Sequence, residues 1–220
     1  SFPVPEELRP ESVKVIYGKV DPTPPDDNVR LTLNYVQSRM AEEIDLNMDD
    51  GTFAAVIKTS RNEDVIIKVE GDGVAFEAVV VYQADEVEIS GESQPEIELR
   101  AKKASKKDAF ELKDVQFTTN SAIMDDAAKI VLKAFAEYLI ENPEYQVEIN
   151  GHTDNIGSVD KNQSLSKERA EVVSKFLVNA GVERRRLRSR GCGPTHPKAT
   201  NDSEKGRALN RRTEFTVFEN

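Results

Sequence analysis

A carboxylate and a guanidinium in one short polar stretch could together bind a ligand that carries both charges. Asp154 and Arg169 lie in the stretch Asn150–Arg169, which reads NGHTDNIGSVDKNQSLSKER. We expect the aspartate just past the end of a strand and the arginine about one turn into the next helix. Ligands bind in such crevices at the strand ends of α/β sheets. One interpretation is that the two side chains bind a ligand of both charges, since the planar guanidinium of arginine suits a carboxylate. The other is that they pair with each other or with water on a solvated surface.

The elements on either side of this stretch are predicted from the spacing of apolar residues. Apolar and polar residues alternate over Tyr145–Ile149, which predicts a half-buried strand that stops at Asn150-Gly151. Apolar residues recur at helical intervals over Leu165–Ala180, and Gly181 follows where a helix commonly ends. A strand, a polar loop and a helix would therefore position the two charged side chains.

The remaining elements of this half complete an α/β pattern. Val115 and Phe117 predict a brief strand at the start of this half. The others are a helix at Asp125–Glu141 that Pro143 ends, a strand around Leu187, a short helix near Lys205–Leu209 and a last strand through Phe215 and Val217. The order βαβα, then β, α, β, predicts helices packed on one face of a mixed sheet.

The first half of the chain has the pattern of short strands. The predicted strands are Val13–Val20, Val29–Tyr35, Phe53–Ile57, Val65–Val69, Val74–Tyr82 and Ile97–Leu99. Aspartate, glycine and proline separate them, which favours an antiparallel β-sandwich. The charged residues 103–108 predict a linker between a first domain, residues 1–102, and a second domain, residues 109–220.

Composition excludes several other classes of site. The formal net charge of −10 argues against a general nucleic-acid binder, so we interpret the arginines of Arg184–Arg190 as a solvated loop and edge strand. One cysteine, Cys192, excludes an intramolecular disulfide, and no metal-ligand spacing appears around the two histidines. We predict neither a metal nor a cofactor. No apolar run is long enough to span a membrane, and we expect that any export signal before Ser1 has been removed.

The motif around the charged pair resembles the signature of OmpA-like peptidoglycan-binding domains. The matching residues are Gly151, His152, Thr153, Asp154, Gly157, Asn162, Leu165, Ser166, Arg169, Ala170, Asn210, Arg211 and Arg212. The resemblance runs from about Val115 to Glu219. It implies that Asp154 and Arg169 hold the diaminopimelate of the cell-wall stem peptide. It also implies a supporting set, which comprises Asn120, Thr153, Gly157, Asn162, Leu165, Arg211 and Arg212.

Two further observations concern this family pattern and the first domain. Cys192 stands where OmpA-like domains commonly carry an aromatic residue, which would thin one wall of the site without touching the charge pair. In the first domain, Tyr17–Val20, Asp50–Phe53 and Glu96–Leu99 are similar to short motifs of the prealbumin-like sandwiches called carboxypeptidase regulatory-like domains. That family implies a structural or interaction module and gives no catalytic residues.

These observations predict a protein that binds peptidoglycan without catalysis and anchors an outer-membrane or periplasmic protein to the cell wall. An alternative is a scaffold or assembly module of a cell-envelope machine, with a protein partner bound through the first domain. An enzyme is disfavoured because no nucleophile accompanies His152, and Asp154 with Asp160 is the closest pair of carboxylates. The expected location is the periplasm, in association with the outer membrane.

The sequence also predicts which substitutions would affect stability. If Asp154 and Arg169 face a wet crevice, replacing either with alanine should leave the melting temperature nearly unchanged. Asn162 and Ser166 lie between the polar loop and the helix, so we expect their side chains to cap backbone donors and to support the fold.

Overall fold

The chain forms two compact units, Ser1–Lys102 and Lys103–Asn220. The computed structural model describes residues 12–21, 29–71, 74–84, 96–101, 107–111, 117 and 121–219. No helix within these ranges is long and apolar enough to cross a bilayer. The same ranges contain no group of His, Cys, Asp and Glu side chains that could hold a metal ion.

The described part of the first unit contains two sheets. Its strands are β1 (Val13–Val20), β2 (Arg30–Tyr35), β3 (Ala41–Ile44), β4 (Thr52–Lys58), β5 (Val65–Glu70), β6 (Glu77–Tyr82) and β7 (Ile97–Leu99). One sheet has the order β4-β1-β7 and the other has the order β3-β2-β5-β6. Both sheets contribute to one apolar cluster, which includes Ile16, Val20, Leu31, Leu33 and Ile57.

This unit differs from the prediction in two respects. β7 pairs with β1 in parallel, so the smaller sheet is mixed and not purely antiparallel. β3 was not predicted, because its sequence, Ala-Glu-Glu-Ile, contains only one large apolar residue. Tyr35 links the two sheets, since its ring is buried and its hydroxyl accepts a hydrogen bond from Lys58 N at 3.0 Å.

The second unit is an α/β structure whose element order is the one predicted. Its elements are β8 (Lys107–Glu111), α1 (Asp126–Glu141), β9 (Tyr145–His152), α2 (Val159–Asn179), β10 (Leu187–Gly193), α3 (Glu204–Asn210) and β11 (Thr213–Glu219). The sheet order is β10-β9-β11-β8. β9 and β10 are parallel, whereas β11 runs antiparallel to β9 and to β8, so the sheet is mixed.

The start of this unit differs from the prediction. β8 begins at Lys107, so the last two residues of the predicted linker 103–108 lie in a strand that pairs with β11. The predicted strand at Val115 and Phe117 falls largely outside the described residues. Phe117 forms an isolated antiparallel bridge with Met124.

Local signals explain where the two long helices begin and end. Asp125 caps α1 by accepting a hydrogen bond from Ala128 N at 2.7 Å, and Ser158 caps α2 through Lys161 N at 3.4 Å. Gly181 follows α2 with φ of 109°, a left-handed value that favours glycine. α2 begins earlier than predicted, so Arg169 lies about three turns into the helix and not one.

Both helices pack on one face of the sheet. Phe135 of α1 meets Phe215 of β11 edge to face, with ring centroids 5.4 Å apart. α2 lies so close to β9 and β10 that a Cβ atom at Gly151 would strike Ser166 O, and one at Gly191 would lie 2.5 Å from Lys167 N. Glycine is therefore required at both positions for the helix to reach its place on the sheet.

The arginine cluster ahead of β10 is only partly a solvated surface. Arg184, Arg185, Arg188 and Arg190 are exposed, as predicted, but Arg186 is buried. Its Nε donates to Tyr145 O at 2.7 Å and its Nη2 donates to Asn142 O at 2.8 Å. Burial lowers the pKa of Arg186. This side chain thus ties the α1–β9 turn to the start of β10.

We predict that residues 103–220 fold without the rest of the chain. Both long helices and all four strands of their sheet lie inside this segment, so its core needs no residue from the first unit. Circular dichroism of the isolated segment should show helix and strand, with a cooperative thermal transition. A shorter segment, residues 112–220, lacks β8 and should melt at a lower temperature. If residues 103–220 stay unfolded, the boundary is wrong.

Candidate ligand-binding site

The candidate site begins with Asp154, just beyond the carboxyl end of β9. Its side chain is nearly buried, with a relative exposure of 9% for the residue. Oδ1 accepts a hydrogen bond from Ile156 N at 3.0 Å, and Oδ2 accepts one from Arg211 Nη1 at 2.9 Å. The carboxylate is therefore held in one orientation by its own loop and by the segment after α3.

Arg169 projects from α2 and is also buried, with 5% of the residue exposed. Its Nε donates to Ser121 O at 2.9 Å, and its Cζ lies 5.1 Å from the centre of the Phe117 ring. Burial lowers the pKa of Arg169, as does the nearby Arg211 guanidinium, while Asp154 opposes that shift. Arg169, Arg211 and Asp154 thus form one electrostatic cluster.

The direct ionic partner of Asp154 is Arg211. Arg211, predicted only as a supporting residue, bridges Asp154 and Glu204, since its Nη2 donates to Glu204 Oε1 at 2.8 Å. Hydrogen bonds to these two carboxylates raise the pKa of Arg211. The expectation of a wet crevice was wrong, because both Asp154 and Arg169 are withdrawn from solvent.

Four of the predicted supporting residues lie in or beside the β9–α2 loop. Gly157 has φ of 95°, which favours glycine. Thr153 N donates to Gly193 O at 3.0 Å, and the buried Thr153 Oγ1 has no hydrogen-bond partner among the described residues. Leu165 is half-buried on α2. The fourth residue is Asn162, and the predicted Asn120 lies outside the described residues.

Asn162 and Ser166 stabilise the loop in different ways. Asn162 Nδ2 donates to Asp154 O at 3.3 Å and to Ile156 O at 3.0 Å, so this residue satisfies backbone acceptors and not the donors that we predicted. Ser166 Oγ does bind a backbone donor, Gly193 N, at 2.9 Å. Together they connect the loop that carries Asp154 to α2 and to the end of β10.

The segment after α3 holds its two arginines in different surroundings. Arg211 reaches Asp154, whereas Arg212 donates to Glu214 Oε1 from Nε at 2.8 Å and from Nη2 at 2.6 Å. Asn210 is fully buried: its Oδ1 accepts from Lys198 N and Ala199 N, and its Nδ2 donates to Ala199 O and Asn201 Oδ1. Asn210 was not predicted as a site residue, although its place before two arginines was a usable signal.

His152 is buried beside this segment, and its backbone N–H donates to Arg212 O at 2.9 Å. Its Nε2 lies 3.3 Å from Glu214 Oε2, but the geometry falls short of a directed hydrogen bond, and Nδ1 has no partner among the described residues. Burial lowers the pKa of His152, and so does Arg212, while Glu214 opposes the shift. The ring therefore favours its neutral form.

Comparison with known proteins shows that the second unit is similar to a known family. Residues 116–211 match the sequence model of the OmpA family. The probable lipoprotein YiaD of Escherichia coli is 38% identical over 104 residues, which cover 47% of this chain and 48% of that protein. The peptidoglycan-binding protein ArfA of Mycobacterium tuberculosis is 38% identical over 103 residues, which cover 47% of this chain and 32% of that protein.

A solved structure, described as the cell wall anchor of the T6SS from Pseudomonas aeruginosa, is 34% identical. The match covers 52% of this chain and 81% of the solved chain, with a TM-score of 0.45. The chain spans less than half the length of the two curated relatives. The second unit thus contains an OmpA-like α/β domain, with helices packed on a mixed sheet.

We predict that His152 makes the fold less stable as the pH falls from 7 toward 5. Its folded pKa lies below its unfolded value of about 6.5, so the unfolded chain takes up more protons in this range. The stabilisation is complete above the unfolded pKa and is lost as the pH falls through the folded pKa. Denaturant titrations at several pH values should show that His152→Gln flattens this dependence.

His196→Gln is the comparison variant for this prediction, because His196 is exposed and contributes least among the groups that shift the pKa of His152. That variant should keep most of the slope of the parent protein. A His152→Gln variant with the same pH dependence as the parent would show that His152 does not cause it.

Proposed function

We propose that the second unit binds peptidoglycan through the zwitterionic side-chain end of diaminopimelate, and so anchors an outer-membrane or periplasmic protein to the cell wall without catalysis. The observation that carries the proposal is the withdrawal of Asp154 and Arg169 from solvent at the end of β9. Opposite charges interact more strongly where water is largely excluded. A fixed anion beside a fixed cation suits a ligand that presents an ammonium and a carboxylate on one carbon.

The contacts of each group define its proposed role. Asp154 would accept the ligand ammonium, because a carboxylate has about four acceptor positions and two hydrogen bonds occupy only part of them. Arg169 would bind the ligand carboxylate. Its Nε bond to Ser121 O fixes the plane of the guanidinium. Arg211 would hold Asp154 in position while Glu204 balances its charge.

The similarity to ArfA, which is described as peptidoglycan-binding, supports the class of ligand. The contacts of Asp154 support binding over catalysis. Its partners are a backbone N–H and a guanidinium, which hold a carboxylate as an acceptor and supply no nucleophile. Peptidoglycan lies outside the cytoplasmic membrane, so the proposal places the protein in the cell envelope.

For the first unit we propose an interaction or structural role. Two sheets with a shared apolar cluster support a β-sandwich, and no catalytic residue was predicted there. The carboxypeptidase regulatory-like assignment stays a prediction. So does an envelope protein as partner of this unit.

We predict that Asp154→Asn weakens binding to isolated sacculi by about thirtyfold or more, and that Arg169→Lys weakens it by a smaller factor. Asp154→Asn removes one partner of a buried, hydrogen-bonded charge pair, which costs about 2 to 5 kcal/mol, and 1.4 kcal/mol is tenfold in affinity. Arg169→Lys keeps the positive charge but loses the planar pair of donors that suits a carboxylate. Both variants keep most of the side-chain volume. They should unfold at somewhat lower temperatures, because Asp154 and Arg169 are buried and hydrogen-bonded in the free protein. Co-sedimentation with sacculi measures the binding.

Glu141→Gln and Arg185→Lys make matching changes at exposed positions. They should pellet with sacculi as the parent does. Thermal unfolding of all four variants shows whether each protein is folded at the binding temperature. If the folded Asp154→Asn and Arg169→Lys variants pellet as well as the parent, these residues do not bind the wall.

We also predict that the site prefers stem peptides with diaminopimelate over those with lysine. Lysine keeps the ammonium group but lacks the carboxylate that Arg169 would bind, and a buried donor left without its ligand partner is costly. Calorimetry with the two peptides should show the preference in the parent, and Arg169→Lys should reduce it. Equal affinity of the parent for both peptides would remove Arg169 from this role.

A further inference from the structure

Most exposed large apolar side chains of the second unit lie close in sequence to residues of the candidate site. Among the described residues of the second unit, the large hydrophobic side chains that are exposed are Ile123, Ile140, Ile156, Val159 and Leu209. Single exposed apolar residues are common on protein surfaces and need no explanation. Four of these five, however, lie within a few residues in sequence of Asp154, Ser121 or Arg211, and only Ile140 does not.

Two of the four belong to the loop that carries Asp154. Ile156 is 64% exposed, although its backbone is fixed by the N–H bond to Asp154 Oδ1 and by the amide of Asn162. Val159 is 63% exposed and is the first residue of α2. Between them, a Cβ atom at Gly157 would have no neighbour within 4 Å. The loop therefore presents two apolar side chains on a fixed backbone, beside open space.

The other two lie on separate segments of the site. Ile123 is 67% exposed and follows Ser121, whose carbonyl oxygen binds Arg169. Leu209 is 49% exposed and precedes Arg211 near the end of α3. Segments from three parts of the chain thus each supply a polar contact to the charged cluster and an exposed apolar side chain close to it in sequence. We call these four residues the apolar rim.

We propose that the apolar rim contacts the peptide around the zwitterion, with Ile156 and Val159 packing on the methyl group of the alanine that follows diaminopimelate in the stem. This inference rests on the proposed function and extends it from one residue to its peptide context. The zwitterionic end of diaminopimelate connects to the peptide backbone through a short methylene chain. A ligand held by Asp154 and Arg169 therefore brings its neighbouring alanine to the edge of the site, where an apolar surface gains by covering the methyl group.

Two synthetic stem tetrapeptides test the proposal. They are identical except that the alanine after diaminopimelate is glycine in one of them. Burying one methyl group changes affinity by roughly three- to fourfold. Calorimetry with the parent should give that ratio in favour of alanine. The double variant Ile156→Ser with Val159→Ser should reduce this ratio of affinities to about one. Two peptides measured with two proteins form a double-mutant cycle, which isolates the contact between the methyl group and the loop.

Ile140→Ser is the matched control, since Ile140 is exposed at the far end of α1, about 20 Å along the helix axis from its first residue. It should keep the ratio of the parent. A parent ratio of one, or a double variant that keeps the parent ratio, would overturn the apolar rim while leaving wall binding intact. Failure of the parent to bind either peptide would instead contradict the proposed function. All three proteins should stay folded, because the substituted side chains are exposed.

Discussion

The close contact between α2 and the β9–β10 pair determines where Arg169 lies relative to Asp154. Gly151 and Gly191 let the backbone of α2 approach the strands, and Ser166 fills the same contact by binding Gly193 N. Arg169 lies one turn further along the helix, and Asp154 follows the strand that the helix touches. A larger side chain at either glycine would push the helix outward and would move the arginine away from the aspartate.

The periodicity of the sequence predicted most elements because their apolar faces are regular. It does not identify partners that are distant in sequence. Asp154 pairs with Arg211, and no local pattern indicates which of several arginines will reach a given carboxylate. Arg186 is buried among exposed arginines because it donates hydrogen bonds to carbonyl groups of the α1–β9 turn, which is distant in sequence. β3 was missed because it contains only one large apolar residue, and the parallel pairing of β7 depends on chain connections that spacing does not encode.

The electrostatics of the site combine stability with readiness to bind. A buried charge is costly unless it has partners, and the two arginines nearest Asp154 have such partners in the free protein. The cluster is therefore preorganised, so a ligand need not reorient these groups. Its two proposed contacts come from different elements, a loop and a helix, and Arg211 adds a third element. A displacement of α3 would consequently move Glu204 and Arg211 and so change the position of the Asp154 carboxylate.

The exposed arginines of β10 have a consequence for how the protein behaves at high concentration. Among the described strands, β10 is the edge of its sheet, with β9 as its neighbour, and an edge strand offers backbone groups to any other strand. Arg188 and Arg190 place charge along that edge, and two copies of it would repel each other. Two arginines of the cluster that resembles a nucleic-acid patch in the sequence thus work against strand-to-strand aggregation.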